Sequence, residues 1–309
     1  SRTAMLSIKR ILFPTDFSEG ARRAFPQAAF LAHVHDAELC ILSIAGRHLY
    51  GYRDMVDAHP MSTETIDEMI ESLPFTSDDL SIEQVQLEGA IIHERITEFA
   101  EERDTDLIVM GTHGRTGVNR MLMGSVAEDV VRSANCPVLT VRGTKTETAP
   151  SRMSRILVPV DFSEGSTLAV AHARELALTY GARMDLLHVV EEVIYPSTYG
   201  IEPVELPTGE VVENVENALA ELAREEIGIE HVVVEARIGY APATIRDYAA
   251  EHEIDLIVIA THGRSGLDRL LMGSVTENIV RRAEQPVFVV KPNAKSLVET
   301  PPASKPAHA

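Results

Sequence analysis

The chain has 309 residues, of which 45% are hydrophobic and 24% are charged, a composition typical of globular domains. At roughly 150 residues per domain, this length predicts two domains. The formal net charge of −19 repels phosphate backbones and anionic lipids, so it argues against nucleic acid or a membrane as a partner.

Hydropathy and cysteine content exclude further classes of protein. No apolar run approaches the ~18 residues of a membrane span, and the first residues hold no apolar stretch of secretory length. The two cysteines, Cys40 and Cys136, exclude a disulfide scaffold and a cysteine-rich metal site, and they agree with a reducing compartment. We therefore expect a cytoplasmic protein.

Short apolar runs alternate with stretches of helical periodicity along the whole chain. The first half predicts strands at 8–13, 39–45, 80–87, 107–110 and 138–141, with helices at 19–35, 63–73, 91–103 and 125–134. The second half predicts strands at 155–160, 184–190, 231–238, 256–260 and 287–290, with helices at 164–180, 211–226, 241–252 and 274–283.

Such alternation is typical of parallel strands joined by right-handed helical crossovers. Each half is therefore predicted to be a doubly wound α/β domain, a five-stranded parallel sheet with helices on both faces. In this architecture, ligands bind at the carboxyl ends of the strands, where the strand order switches.

The two halves also repeat each other in sequence. KRILFPTDFSEG from Lys9 matches SRILVPVDFSEG from Ser154 at an offset of 145, and a longer segment from Asp106 matches one from Asp255 at an offset of 149. A period this long indicates duplication of a whole domain. We predict domains at 1–143 and 154–292, a linker at 144–153 and, from its Pro, Ala and Ser content, a disordered tail at 293–309.

A glycine-rich segment follows the fourth predicted strand of each half. The first reads GTHG from Gly111, nine residues and then Gly124-Ser125, and the second reads ATHG from Ala260, nine residues and then Gly273-Ser274. Glycines let backbone amides approach a phosphate closely, and a helix amino terminus adds unpaired donors and partial positive charge. The pattern favours an anion site, although glycines that serve turns and serines that serve as N-caps are the alternative.

A second element lies at the end of the first strand of each half, in Pro14-Thr15-Asp16 and Pro159-Val160-Asp161. A carboxylate at this position can accept hydrogen bonds from a ribose or from the amino group of adenine. The alternative is that Asp16 and Asp161 only start the turn into the next helix or cap it.

Together, the pattern G-x-x-G, nine residues, G-[ST] and the strand end P-[TV]-D-F-S resemble the universal stress protein family, as a tandem member matched over both halves. The resemblance implies an adenine-nucleotide site, with adenine near the first two strand ends and phosphates on the glycine loop. It implies, as site residues of the first half, Thr15, Asp16, Ile44, Met110, Gly111, His113, Gly114, Gly124, Ser125, Val126 and Ala127. In the second half it implies Val160, Asp161, Val189, Ile259, Ala260, His262, Gly263, Gly273, Ser274, Val275 and Thr276.

The second half departs from the family pattern at two positions. Ala260 places a Cβ where the first half has glycine, and Val160 lacks the hydroxyl of Thr15. Conversely, Ala127 lacks the hydroxyl that Thr276 offers. We expect both halves to retain the nucleotide site, and we rank the site of the first half slightly above that of the second.

The resulting hypothesis is a stress-response module that binds ATP, with Mg2+ held mainly by the phosphates, and that senses nucleotide or binds partners. A slow ATPase and a ligand-free dimerisation scaffold remain the alternatives. A catalytic role for His113 or His262 is disfavoured because no oriented nucleophile accompanies them. The free edge of each fifth strand predicts pairing between the halves and then a homodimer. His188 is interpreted as a core residue.

Overall fold

The computed structural model describes residues 6–46, 63–73, 80–112, 123–142, 153–191, 208–227, 232–261 and 272–298. In the first domain, strands and helices alternate as predicted, and their ends differ from prediction by a few residues at most. They are β1 (Arg10–Pro14), α1 (Glu19–His35), β2 (Glu38–Gly46), α2 (Thr63–Glu71), β3 (Ile82–Gly89), α3 (Ile92–Glu102), β4 (Leu107–Gly111), α4 (Ser125–Ser133) and β5 (Val138–Val141).

The second domain repeats this order, as the internal repeat requires. Its elements are β6 (Arg155–Pro159), α5 (Glu164–Tyr180), β7 (Arg183–Val190), α6 (Thr208–Glu226), β8 (Val232–Ile238), α7 (Ala241–Glu251), β9 (Leu256–Ala260), α8 (Ser274–Arg282) and β10 (Val287–Val290).

The first helix of each domain begins and ends at matching local signals. Ser18 and Ser163 are the N-caps, and each hydroxyl accepts a bond from the backbone amide three residues on, at 3.3 and 3.2 Å. The helices end at Asp36 and Gly181, both in the left-handed conformation that closes a helix. Equivalent caps therefore give two 17-residue helices from two different sequences.

The ten strands form one sheet in the order β3-β2-β1-β4-β5-β10-β9-β6-β7-β8. All pairs within a domain are parallel, and β5 and β10 join the domains as an antiparallel pair. The predicted fold class, two doubly wound five-stranded parallel domains, is confirmed.

Helices cover both faces of this sheet. On one face, α1, α2, α5 and α6 contribute to one buried apolar cluster, in which Phe25 and Leu219 are fully buried. On the other face, α3, α4, α7 and α8 contribute to a second cluster around Val130 and Tyr248. Burial on both faces explains why the strands are continuously apolar rather than alternating.

The domain junction is built as two reciprocal contacts. Arg142 follows β5, and its guanidinium donates to two carbonyls at the carboxyl end of α8, each at 3.3 Å. Lys291 follows β10, and its ammonium donates to two carbonyls at the carboxyl end of α4. Each domain thus supplies a cation to the negative end of a helix in the other, an arrangement that stabilises the helix. Arg281 of α8 also pairs with Glu128 of α4 at 2.7 Å.

The expected pairing of the two fifth-strand edges is therefore confirmed within the chain. A homodimer of chains stays a prediction, and it would have to use another surface because β5 and β10 occupy each other's edge.

The expectation of a disordered tail does not hold for residues 293–298. Leu297 is only 1% exposed, its carbonyl accepts a bond from the amide of Ser7 at 2.9 Å, and its own amide donates to Nε2 of His172 at 3.2 Å. Lys295 reaches Asp106 of the first domain at 2.6 Å. This segment bridges both domains, and residues 299–309 lie outside the described ranges.

Three sequence-based exclusions, of a membrane span, a disulfide scaffold and a cysteine-rich metal site, concern features that the described part of the chain can show. No helix there is long and apolar enough to cross a membrane. Cys40 and Cys136 are both free thiols. Three or more metal-ligating side chains do not cluster anywhere in these same ranges.

Candidate functional site

The sheet topology sets where a ligand can enter each domain. β1 lies between β2 and β4, and β6 lies between β7 and β9, so the chain leaves these central strands in opposite directions. The helices that follow neighbouring strands then diverge and leave a crevice at the carboxyl ends.

A cavity of about 310 Å³ opens at this position in the second domain. Of the predicted second-domain residues, His262 and Gly263 lie outside the described ranges. All the others line the cavity: Val160, Asp161, Val189, Ile259, Ala260, Gly273, Ser274, Val275 and Thr276. The fold therefore brings the predicted set together around one space, and its role in binding nucleotide stays a prediction.

The predicted first-domain residues occupy the corresponding strand ends and helix start, except that His113 and Gly114 are outside the described part of the chain. They lie at the ends of β1, β2 and β4 and in the first turn of α4: Thr15, Asp16, Ile44, Met110, Gly111, Gly124, Ser125, Val126 and Ala127.

The amino terminus of α8 faces the cavity without a side-chain cap. Gly273 is the N-cap residue, and no side chain of the described residues bonds to this helix start. The amide of Gly273 donates to the carbonyl of Thr261 at 2.7 Å, whereas the next three residues line the cavity. Amides in the first turn of a helix have no partner within the helix, so they are available to an anion.

The same geometry is present at α4, where Gly124 is the N-cap and its amide donates to Thr112 at 2.7 Å. Ser125 and Ser274 are the first helical residues, not the caps. The alternative interpretation of these serines as N-caps is therefore wrong, and both side chains are exposed at the helix start.

The turns after β1 and β6 show what Asp16 and Asp161 do in the fold. Each carboxylate accepts a bond from the backbone amide two residues on, at 3.0 and 3.1 Å, so each does start the turn. The caps are Ser18 and Ser163, so the aspartates do not cap the helices. A contact from either carboxylate to a ligand stays a prediction.

Gly111 has a role in the packing of the fold, whereas its predicted approach to a ligand stays a prediction. A Cβ at this position would lie 2.6 Å from the carbonyl oxygen of Gly20 and 3.0 Å from the amide nitrogen of Ala21, both backbone atoms of α1. The backbone of Gly111 does not have a positive φ. Contact with α1 thus explains the glycine, and Ala260 shows that the second domain leaves room for a methyl group.

We expect Gly111→Ala to lower the free energy of unfolding by about 1–3 kcal/mol, because the backbone of α1 must move. The matched control is Ala260→Gly, which removes the equivalent methyl group and costs less than about 1 kcal/mol. Urea denaturation of both variants measures the difference. Equal losses would show that α1 does not restrict position 111.

The hydroxyl of Thr276, predicted as an available ligand contact, already uses its proton in a hydrogen bond within the protein. It donates to the carbonyl of Ala260 at 2.6 Å and is buried. This bond fixes the start of α8 to the end of β9, and it leaves the oxygen able only to accept.

Six residues that line the cavity were not among the predicted site residues: Pro159, Ser166, Leu187, His188, Ala241 and Ile245. His188 was interpreted as a core residue, yet it is only partly buried and lines the cavity. Ala241 and Ile245 belong to the first turns of α7. A signal for these two was present, since every helix that follows a parallel strand begins at the same edge of the sheet.

A model of the universal stress protein family matches residues 7–142 and, a second time, residues 153–291. The chain belongs to the universal stress protein family. Because the two matches fall on the two halves, it is a tandem member with two such domains.

Curated relatives and solved structures agree with this membership. A universal stress protein of Methanocaldococcus jannaschii is 35% identical over 147 residues, which cover 45% of this chain and 85% of the relative. One of Mycobacterium tuberculosis is 31% identical over 193 residues, 61% of this chain and 62% of that protein. The crystal structure of a universal stress protein of Archaeoglobus fulgidus has a TM-score of 0.60 and 22% identity, and covers 91% of this chain and 98% of that one, which shows a shared fold.

Proposed function

We propose that this universal stress protein is a cytoplasmic stress-response module that binds adenine nucleotide, ATP in particular, in the second-domain cavity. The observation that carries the proposal is the uncapped start of α8, placed at the wall of a cavity at the carboxyl ends of the strands. The free thiols of Cys40 and Cys136 suit a reducing compartment.

The two ends of the cavity suit the two ends of a nucleotide. Val160, Val189 and Ile259 supply apolar surface for a base at the ends of three neighbouring strands. At the other end, the amides of Ser274, Val275 and Thr276 offer donors for phosphate oxygens. The positive end of α8 adds favourable electrostatics. A Mg2+ ion would be held mainly by the phosphates.

The first domain has the equivalent strand ends and an equally uncapped α4, so we extend the proposal to it as a second site. A bound nucleotide would then contact the amino terminus of α4 or α8. The carboxyl end of each of these helices contacts the other domain, because Lys291 bonds to that of α4 and Arg142 to that of α8. A sensing role therefore fits the architecture better than turnover does.

A carboxylate at the start of α8 tests the proposal without disturbing the fold. Ser274→Asp places a negative charge where the helix favours it, so the free energy of unfolding is expected to rise by about 0.3–1 kcal/mol. The same charge repels phosphate, and we expect the affinity for ATP to fall at least about tenfold. Isothermal titration calorimetry measures this change.

Two variants control this experiment. Ser274→Asn keeps the size of the aspartate without its charge, and it should retain most of the affinity. Ser125→Asp makes the same change in the first domain and should remove only the binding that belongs to that domain. ATP binding of unchanged affinity and stoichiometry in Ser274→Asp would contradict the assignment of the cavity.

A further inference from the structure

His188 lines the second-domain cavity from β7, one residue after Leu187, which pairs with the last residue of β6, Pro159. It directly precedes Val189, and the cavity is also lined by Val160 and Leu187 around it. This is the apolar end of the cavity, where the proposed function places the base. An imidazole at this end of the cavity can form a hydrogen bond to the edge of a base.

One hydrogen bond determines which ring nitrogen carries the proton. Nδ1 of His188 lies 2.6 Å from the carbonyl oxygen of Val160. A carbonyl oxygen can only accept, so Nδ1 must be the donor. In the neutral ring, Nε2 then has no hydrogen and is an acceptor, and no residue in the described ranges bonds to it.

The ring is also held in place from its side. The aromatic ring of Phe162 lies 5.1 Å from that of His188, centroid to centroid, at an angle of 39°. Phe162 has a φ of 61°, an uncommon value for a bulky residue, and follows directly on the turn that carries Asp161. The turn after β6 therefore restrains the imidazole through both its backbone carbonyl and its aromatic side chain.

The first domain has no such group at this position. The residue equivalent to His188 is Ser43, which is 7% exposed and precedes Ile44 on β2. Of these two equivalent positions, therefore, only the one in the second domain carries an acceptor nitrogen.

We propose that His188 is a specificity-determining residue of the second-domain site, and that it selects 6-aminopurine nucleotides. This inference rests on the proposed function. Nε2 accepts a hydrogen bond from the exocyclic amino group of adenine. A 6-oxopurine presents an acceptor at that atom, so two lone pairs would face each other and the site would disfavour it.

The test compares ATP with inosine triphosphate, which carries oxygen in place of the amino group, in calorimetric titrations of the full chain. A third probe, purine riboside triphosphate, lacks the amino group without gaining the oxygen. All proteins carry Ser125→Asp, so that the second domain is measured. The parent should bind ATP about tenfold more tightly than either analogue.

His188→Asn is the informative variant, because its amide nitrogen can still donate to the carbonyl of Val160 while the acceptor at Nε2 is lost. We expect the preference for ATP to fall to near one through weaker ATP binding, with an unchanged melting temperature. Ser43→Ala in the first domain is the matched control and should leave the preference unchanged.

Each outcome bears on one proposal or the other. If neither the parent nor the wild-type chain binds ATP, the proposed function fails, and this inference fails with it. If the parent binds all three nucleotides equally, or if His188→Asn retains the preference, the specificity role is overturned while nucleotide binding stands.

Discussion

Asp185→Ala is expected to lower the free energy of unfolding by about 3–5 kcal/mol, because it leaves a charged partner without its counterion inside the second domain. The Asp185 side chain has no exposed surface, and that of Arg155 is 12% exposed. Nε of Arg155 contacts both carboxylate oxygens, at 3.0 and 2.8 Å, and the Tyr248 hydroxyl donates to one of them at 2.8 Å. The substitution removes all of these bonds at once.

The first domain supplies the design of a rescue variant. Cys40 occupies the position equivalent to Asp185, since it pairs with Leu12 as Asp185 pairs with Leu157. Replacing a buried ion pair by apolar residues of similar volume is often neutral, whereas removing one partner is costly. Combining Asp185→Leu with Arg155→Met and Tyr248→Phe should therefore restore most of the loss.

Urea denaturation of the single and the triple variant measures both effects. Cys40→Ala is the control for a substitution at the equivalent strand position without a charge. A loss below about 1 kcal/mol in Asp185→Ala, or no recovery in the triple variant, would show that the pair is not energetically coupled.

The elements and the fold could be predicted from sequence because they depend on local signals that occur twice. Apolar runs, helical periodicity and the repeat predicted ten strands and eight helices, in the order found in the described part of the chain. The position of the candidate site was predicted from the same information, because the carboxyl ends of parallel strands always lie at one edge of the sheet.

Features that depend on a distant partner could not be predicted. Gly111 is glycine because α1 packs against it, and no pattern around position 111 contains that contact. His188 lines a cavity rather than the core. Both faces of a buried parallel strand are apolar in sequence, so the pattern does not distinguish a residue at the cavity from one in the core. The segment around Leu297 has the composition of a linker, yet a histidine of α5 and the amide of Ser7 hold it in place.

That histidine also predicts a specific acid sensitivity. His172 has no exposed surface, and burial lowers its pKa to about 4. Its Nδ1 bonds to the carbonyl of Leu168 at 2.9 Å, so in the neutral ring Nε2 is the acceptor for the amide of Leu297 at 3.2 Å. A proton on Nε2 would face that amide hydrogen and break the contact with the tail segment.

Between pH 6.5 and pH 4 the unfolded chain binds a proton at His172 that the folded chain does not. The stability contributed by this residue is complete above about pH 6.5 and is lost as the pH falls through this range. With a folded-state pKa of about 4, the free energy of unfolding should fall by about 2 kcal/mol at pH 5 and by about 3 kcal/mol at lower pH.

Chemical denaturation at several pH values, with wild type compared with His172→Gln, isolates this contribution. Glutamine does not titrate, and its amide can both donate and accept. The pKa of His35 is also lowered by burial, and its contribution is common to both proteins, so it cancels in the difference. Parallel pH curves for the two proteins would contradict the assignment.

A chain that ends at residue 292 lacks the amide of Leu297. Nε2 of His172 then gains access to water, so the free energy of unfolding of this shorter chain should depend less on pH than that of the wild type.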